Sequence, residues 1–169
     1  ASIDGEALLF AVRRLGEDKT IDGVIIQLPL PPSINTQAIL DGVPTEKDVD
    51  MLSTRSVASF RRGDAKILPP IAGAIQEILE RNAVSMLGKD VLILGHGRLV
   101  GAPATLFFRH NDAHVTAVGR EVTRLSELTK EADIIVCGAG QPMLLRPEML
   151  KSGVVVIDAG TSEAGGKIV

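Results

Sequence analysis

The chain has 169 residues, 45% hydrophobic and 23% charged, with 18 Lys and Arg against 21 Asp and Glu and a formal charge of −3. That is the composition of one globular domain or two small ones, with no basic footprint for nucleic acid and too few aromatics, four Phe in all, for base-stacking platforms. Cys137 is the only cysteine, which excludes an internal disulfide and suits a reducing cytoplasm, and no apolar run approaches the ~18 residues of a membrane span. No signal peptide is visible. The chain starts at Ala1 without Met, in what reads as the approach to a helix, and stops at Val169 after a strand-like turn. Both ends read as cut from a longer protein.

The spacing of Leu8, Ala11, Val12 and Leu15 predicts a helix over 4–15 with Asp4 as N-cap. Gly16 to Thr20 reads as a loop. Val24-Ile25-Ile26 predicts a strand core that ends at Gln27-Leu28-Pro29-Leu30-Pro31-Pro32, where the prolines stop both helix and ladder. A short helix is expected at 36–42, and 44–66 reads as irregular and polar. Pro69-Pro70 introduces a helix with Ile71, Ile75, Ile78 and Leu79 on one face. Strands at 90–94, 114–118, 134–137 and 154–158 then alternate with helices at 100–110, 123–131 and near 147–151, the order of a parallel sheet with right-handed crossovers. The expected fold is α/β: a Rossmann-like parallel-sheet domain over 85–169, preceded by part of a smaller α/β catalytic domain over 1–70, with 71–84 as the linking helix.

Val91 to Leu94 followed by Gly95, Gly97 and Gly101 reads as a buried strand, a glycine turn and a helix start, the arrangement that holds a pyrophosphate on free N–H groups. The spacing Gly-x-Gly-x-x-x-Gly is one residue longer than the usual fingerprint, and a tight turn without ligand is the competing reading. In a doubly wound sheet ligands lie beyond the carboxyl ends of the strands, and here all four ends are rich in small residues: Gly95 to Gly101, Val118-Gly119-Arg120-Glu121, Cys137-Gly138-Ala139-Gly140, and Asp158-Ala159-Gly160-Thr161. Arg120, 25 residues after Gly95, sits where a ribose 2′-phosphate is read and points to NADP; Glu121 beside it points to NAD. Arg120 is otherwise a solvated charge. His96 either donates to a phosphate oxygen or faces solvent. The expected cofactor set is Gly95, His96, Gly97, Val100, Gly101, Arg120 and Thr161. His110 and His114 read as surface residues, no metal site is expected, and Cys137 reads as a small buried hydrophobe.

In the first half, Gln27 leaves a strand into a rigid proline turn, which suits the positioning of a reacting group. Asp22 to Pro31, followed by Glu46-Lys47-Asp48-Val49-Asp50, closely resembles the bifunctional methylenetetrahydrofolate dehydrogenase/methenyltetrahydrofolate cyclohydrolase family. Leu94 to Pro103, Gly140-Gln141-Pro142 and Val156-Ile157-Asp158-Ala159-Gly160 match that family in the same order. The resemblance implies hydride transfer from methylenetetrahydrofolate to NADP (NAD in some members), then opening of the methenyl ring by water to 10-formyltetrahydrofolate, in a homodimer. It implies that Gln27 orients and tunes a catalytic lysine, that Asp50 hydrogen-bonds the pterin, that Leu28 and Pro29 line the substrate site, and that Asp48 is more structural, holding the loop. It also implies that the lysine and a stacking tyrosine lie upstream of Ala1; Lys19 is not that lysine.

Departures from the family pattern fall on both sites. The usual Pro-Cys-Thr-Pro is Pro69-Pro70-Ile71-Ala72 here, and the usual Gly-Arg-Ser turn is Gly95-His96-Gly97, which removes an arginine and a hydroxyl from the phosphate site. Little or no activity is expected of the 169 residues alone. The competing readings are a monofunctional methylenetetrahydrofolate dehydrogenase, another amino- or hydroxy-acid dehydrogenase, and a non-catalytic nucleotide-binding module.

Overall fold

A computed structural model describes residues 4–161, 163–164 and 167–168. The sequence readings attached to Ala1 and Val169 lie outside the described residues. The chain divides into two compact units, Ala1–Pro70 and Ile71–Val169.

The first unit opens with α1 (Gly5–Glu17), whose N-cap Asp4 accepts from the Ala7 N–H at 2.7 Å. A cap of this kind contributes about 1 kcal/mol. The buried face of α1 is rotated from the expected one. Val12 and Gly16 are buried and Leu8 and Leu9 pack on the core, while Ala11 and Leu15 face solvent. Gly16 fixes that rotation, because a Cβ there would meet the Pro44 ring at 2.6 Å. Helix α2 (Thr36–Leu40) is shorter than expected and is capped by Asn35, which accepts from Ala38 N–H. Val12, Val24, Ile34, Ile39 and Val43 form the core.

Two readings of this half need correction. Residues 24–26 form a single parallel bridge, Val24 to Asp48, rather than a strand, and Ile25 is 65% exposed. A parallel strand depends on its neighbours, and among the described residues only 47–49 pairs with it, Val24 N–H donating to the Lys47 carbonyl at 2.8 Å. The stretch read as irregular contains α3 (Thr54–Arg62). Its apolar positions are few, so it is polar overall, but it has a complete set of end signals: Ser53 as N-cap, Arg61 and Arg62 in the last turn, and Gly63 in the left-handed conformation at φ 79°.

Helix α4 (Pro70–Arg81) starts at the boundary and opens the second unit; it buries Ala72, Ile75 and Leu79, while Ile78, expected on that face, is exposed. Strands β1 (Asp90–Leu94), β2 (His114–Val118), β3 (Ile134–Cys137) and β4 (Val155–Asp158) form one parallel sheet in the order β2-β1-β3-β4. The two central strands are buried from Val91 to Leu94 and from Ile134 to Cys137, as a sheet covered on both faces requires. Leu92, Leu94, Ile135 and Cys137 pack with Leu125 and Leu128 of α6 (Leu125–Glu131). Side chains alternate along a strand, so Val91, Ile93, Ile134 and Val136 point to the other face. Helix α5 (Gly101–His110) buries Ala104, Phe107 and Phe108. The short helix near 147–151 is a single 3-10 turn, Pro147–Met149. A two-stranded antiparallel pair, β5 (Glu163–Ala164) with β6 (Lys167–Ile168), follows the sheet. No helix among the described residues is long and apolar enough to cross a membrane.

Asp133 fastens the amino-terminal base of the sheet. Its carboxylate accepts from Asp90 N–H at 3.1 Å and from Lys151 Nζ at 2.8 Å, and Lys151 also donates to the Glu131 carbonyl at 2.9 Å. The Lys151 hydrogen bond first, and then the Asp90 amide, hold the carboxyl of Asp133 below the ordinary carboxylate value. A carboxyl that ionises more readily when folded stabilises above its unfolded pKa, and that stability is lost as pH falls through the folded one. Thermal unfolding followed from pH 7 to pH 2 is therefore expected to show a falling midpoint below about pH 4. Asp133→Asn should lower the midpoint at neutral pH and flatten its decline in acid.

Candidate functional site

Three backbone hydrogen bonds carry the pairing one step past the strands. Gly95 N–H donates to Val118 O at 2.7 Å, Gly138 N–H to Leu94 O at 2.8 Å and Ala159 N–H to Cys137 O at 2.9 Å. The loops after all four strands thus start level. The chain order reverses between β1 and β3, so the switch point of the sheet lies where the Gly95 and Gly138 loops meet.

The three glycines of the first loop have separable duties. Gly95 turns the chain at φ 109°, a conformation that favours glycine. Gly101 lies against the preceding turn, and a Cβ there would drive into the Gly95 carbonyl. Gly97 has open space on its Cβ side, with nothing within 4 Å. These are the turn, packing and backbone-approach roles of a dinucleotide loop, kept despite the extra residue of spacing. The crowding continues along the row: a Cβ on Gly138 would meet Val100 Cγ1 at 2.7 Å, one on Gly160 the Ala139 carbonyl at 2.7 Å, and one on Gly140 the Thr161 carbonyl at 2.9 Å.

The expected supply of free donors at the start of α5 is reduced. Ala102 N–H donates to the Gly97 carbonyl at 3.0 Å and Pro103 has no N–H. An anion here depends on side chains as well as backbone. His96 and Arg120 are both exposed and line one open cavity of about 480 Å³ with Gly119, Glu121 and Arg124. The His96 ring lies beside Gly119, within 3.3 Å of where a Cβ would stand. Arg124 is paired with Glu127 at 3.6 Å, whereas among the described residues no hydrogen bond or ion pair engages Arg120 or Glu121. Cys137 is buried, and burial first, with the Asp158 charge second, pushes its thiol up to about 11, so it is no thiolate nucleophile at neutral pH. His114 lies 3.3 Å from Asp90 at the opposite end of the sheet. Among the described residues no group of three His, Cys, Asp or Glu is set to hold a metal.

In the first unit, the Val24 to Asp48 bridge brings the Gln27 segment and the Asp50 segment side by side, running the same way. Gly23 permits the approach, since a Cβ there would meet Val49 Cγ1 at 2.5 Å. Gln27 is exposed and its Nε2 donates to the Leu28 carbonyl at 3.0 Å, just before a cis Leu28–Pro29 peptide. Asp48 is buried and Asp50 half-buried. Burial first, and the Asp48 charge second, push the Asp50 carboxyl above its ordinary value, as binding and catalytic carboxylates often are. Sequence reasoning missed Asp41, Gln37 and Thr54. Asp41 accepts from Thr54 N–H at 2.7 Å, Thr54 Oγ1 at 3.0 Å and Gln37 Nε2 at 2.9 Å, holding the start of α3 beside the Asp50 turn. No local signal marks them, because Asp41 and Thr54 stand 13 positions apart in the chain and meet only in the fold.

Residues 69–169 match the family described as tetrahydrofolate dehydrogenase/cyclohydrolase, NAD(P)-binding domain, and residues 1–50 match its catalytic domain. The chain is 37% identical over 161 residues to the bifunctional protein FolD of Methanospirillum hungatei, covering 95% of this chain and 58% of that protein. It is 34% identical to the one from Hydrogenobaculum sp., with 99% and 61% covered. Among solved structures it is similar to the Trypanosoma brucei N5,N10-methylenetetrahydrofolate dehydrogenase-cyclohydrolase complexed with NADP cofactor and inhibitor, at TM-score 0.92, 35% identity, and 99% and 60% coverage. It is also similar to the FolD enzyme of Campylobacter jejuni, at TM-score 0.93, 32% identity, and 99% and 60% coverage. The chain spans about three-fifths of the length of the curated relatives it matches.

Two stability outcomes follow from this geometry. Gly101→Ala should destabilise the second unit by at least ~2 kcal/mol in urea unfolding, through overpacking against backbone, whereas Gly97→Ala should stay within about 0.5 kcal/mol. Asp50 behaves oppositely to Asp133: its raised pKa means stability is lost as pH rises through the window between the unfolded and folded values. Asp50→Asn should therefore raise the melting temperature at pH 7, and an unchanged or lower value there would contradict this sign.

Proposed function

This chain belongs to the tetrahydrofolate dehydrogenase/cyclohydrolase family, and on that premise we propose that the protein carrying it oxidises 5,10-methylenetetrahydrofolate with NADP and then hydrolyses the product. In the first step a hydride leaves the methylene carbon, giving the methenyl cation and NADPH. In the second, water adds to that cation and the ring opens to 10-formyltetrahydrofolate with release of a proton. The observation that carries the reading is the presence, in family order, of the bridged Gln27 and Asp50 segments in the first unit and the glycine-lined strand ends in the second. An unrelated hydroxy-acid dehydrogenase or a bare nucleotide module has no need of the former.

In this reading residues 1–70 contribute folate binding and residues 71–169 the cofactor domain. Asp50 accepts from the N–H groups of the pterin, a charge-assisted pairing. Gln27, on the edge of the proline turn with Leu28 and Pro29, orients the reacting lysine of the family pattern and lines the substrate site. The open side of Gly97 takes the pyrophosphate, with Gly95 and Gly101 shaping the turn, His96 donating to phosphate, and Val100 and Thr161 closing the cradle along the strand ends. Arg120 reads the 2′-phosphate. NADP held there supplies the hydride acceptor. A homodimer in the cytoplasm completes the reading, supported by family likeness and the lone Cys137.

The cofactor assignment is tested by titration calorimetry of NADP and NAD on wild type and Arg120→Ala. Loss of charge-assisted bonds to phosphate, at ~1.5–3 kcal/mol, predicts NADP affinity about 10- to 100-fold weaker with NAD little changed. Equal losses for the two would remove Arg120 from the phosphate site, and tighter NAD binding in the wild type would favour Glu121 and the NAD reading. Assaying the two reactions separately distinguishes a bifunctional protein from a monofunctional dehydrogenase.

A further inference from the structure

Asp48 is 3% exposed. A carboxylate that deep is costly unless its oxygens are satisfied, and here each has a backbone donor: Leu52 N–H to Oδ1 at 3.2 Å and Ser53 N–H to Oδ2 at 2.9 Å. Its own carbonyl accepts from Met51 N–H at 3.1 Å, and its backbone is the bridge partner of Val24. Met51 takes a left-handed φ of 57°, rare for a non-glycine residue, and Met51 and Leu52 are buried. Asp50 therefore rides on a turn closed from both sides by one residue, which is also joined to the Gln27 segment.

We propose that Asp48 is a positioning residue for Asp50, a carboxylate that clamps the turn presenting Asp50 and supplies the charge against which Asp50 works. An asparagine cannot do both jobs. Its amide offers one acceptor oxygen and one donor nitrogen, so either Leu52 or Ser53 loses its partner, and the charge is gone. The adjacent cation is engaged elsewhere, with Lys47 Nζ donating to the Asp18 carbonyl at 2.6 Å. Asp41 is committed to Thr54 and Gln37. After burial, the Asp48 charge beside it opposes loss of the Asp50 proton. Asp48 thus acts on the folate through Asp50, which rests on the reading of Asp50 as the pterin-binding carboxylate.

The discriminating control is Asp41→Asn, which loosens the next N–H along the same helix start without touching the charge on Asp50. Carboxyl carbon NMR of the intact protein reads the Asp50 titration directly and needs no ligand. Asp48→Asn should move the Asp50 midpoint down, and Asp41→Asn should leave it in place; equal behaviour of the two variants reduces Asp48 to a structural clamp and overturns the proposal. Should Asp48→Asn fail to fold, the wild type still decides: an Asp50 that titrates at or below the ordinary 3.8, or Leu52 and Ser53 amides that exchange as fast as open loops, overturns it. Titration with 5-formyltetrahydrofolate separates the premise from the proposal. Wild-type protein that binds no folate while Asp50 still responds to Asp48→Asn sinks the folate reading alone. Folate binding with an unresponsive Asp50 sinks this one.

Discussion

Backbone crowding at the carboxyl ends of the four parallel strands is the constraint on which the second unit depends. Hydrogen bonds from Gly95, Gly138 and Ala159 zip each loop to its neighbour, and the contacts that result leave room for hydrogen atoms only. Gly101 against the Gly95 carbonyl, Gly138 against Val100 and Gly160 against the Ala139 carbonyl are consequences of one requirement: four chains must turn within the width of a sheet whose strands stand about 4.8 Å apart. Side chains are excluded there by geometry. Gly97 stands apart from that crowding, with open space where a Cβ would lie, so its bare peptide is what a large anion with its own hydrogen-bonding needs can approach.

The first unit solves a different problem with charge. Its segment 46–50, the proposed folate-binding turn, has little secondary structure to lean on, and the Val24 strand is reduced to one bridge. Rigidity comes instead from two carboxylates placed over three consecutive amides, Asp48 on Leu52 and Ser53, and Asp41 on Thr54. These amides open α3, so the acids also sit at the favourable end of its dipole. For Asp41, burial disfavours the charge, but the Thr54 amide, the Gln37 side chain and the Thr54 hydroxyl outweigh it and hold its carboxyl low. Among the described residues Asp50 has no such donors, and it is pushed the other way. Within ten residues, acids of one type are tuned in opposite directions by what donates to them.

The repeating half of the chain was legible because burial on both faces writes long apolar runs, as in Val91 to Leu94 and Ile134 to Cys137, and because glycines mark where those runs end. The first half was less so. Helix α3 has Val57 and Phe60, but the other residue on its buried face is Ser56, so apolar periodicity is nearly silent while the caps at Ser53 and Gly63 are clear. The face of α1 was misjudged because Gly16, which carries no hydrophobicity, is the residue that touches Pro44. Gln27 and Asp50 are expected from family likeness, whereas nothing in the sequence points to Asp41 and Gln37, since their meaning exists only once residues 41 and 54 meet in space.

The hydrogen bond from Ala102 to the Gly97 carbonyl has a consequence for how the glycine loop answers its surroundings. A loop whose own amides hold an anion works through fixed dipoles at contact range, which dissolved ions hardly disturb. Here part of that amide supply is turned inward, and the remaining attraction passes to exposed cationic side chains such as Arg120, whose field fades over about 8 Å at physiological ionic strength. On the proposed reading, occupancy of the loop by an anionic cofactor then depends more on the salt around the protein than it would with the helix start left open.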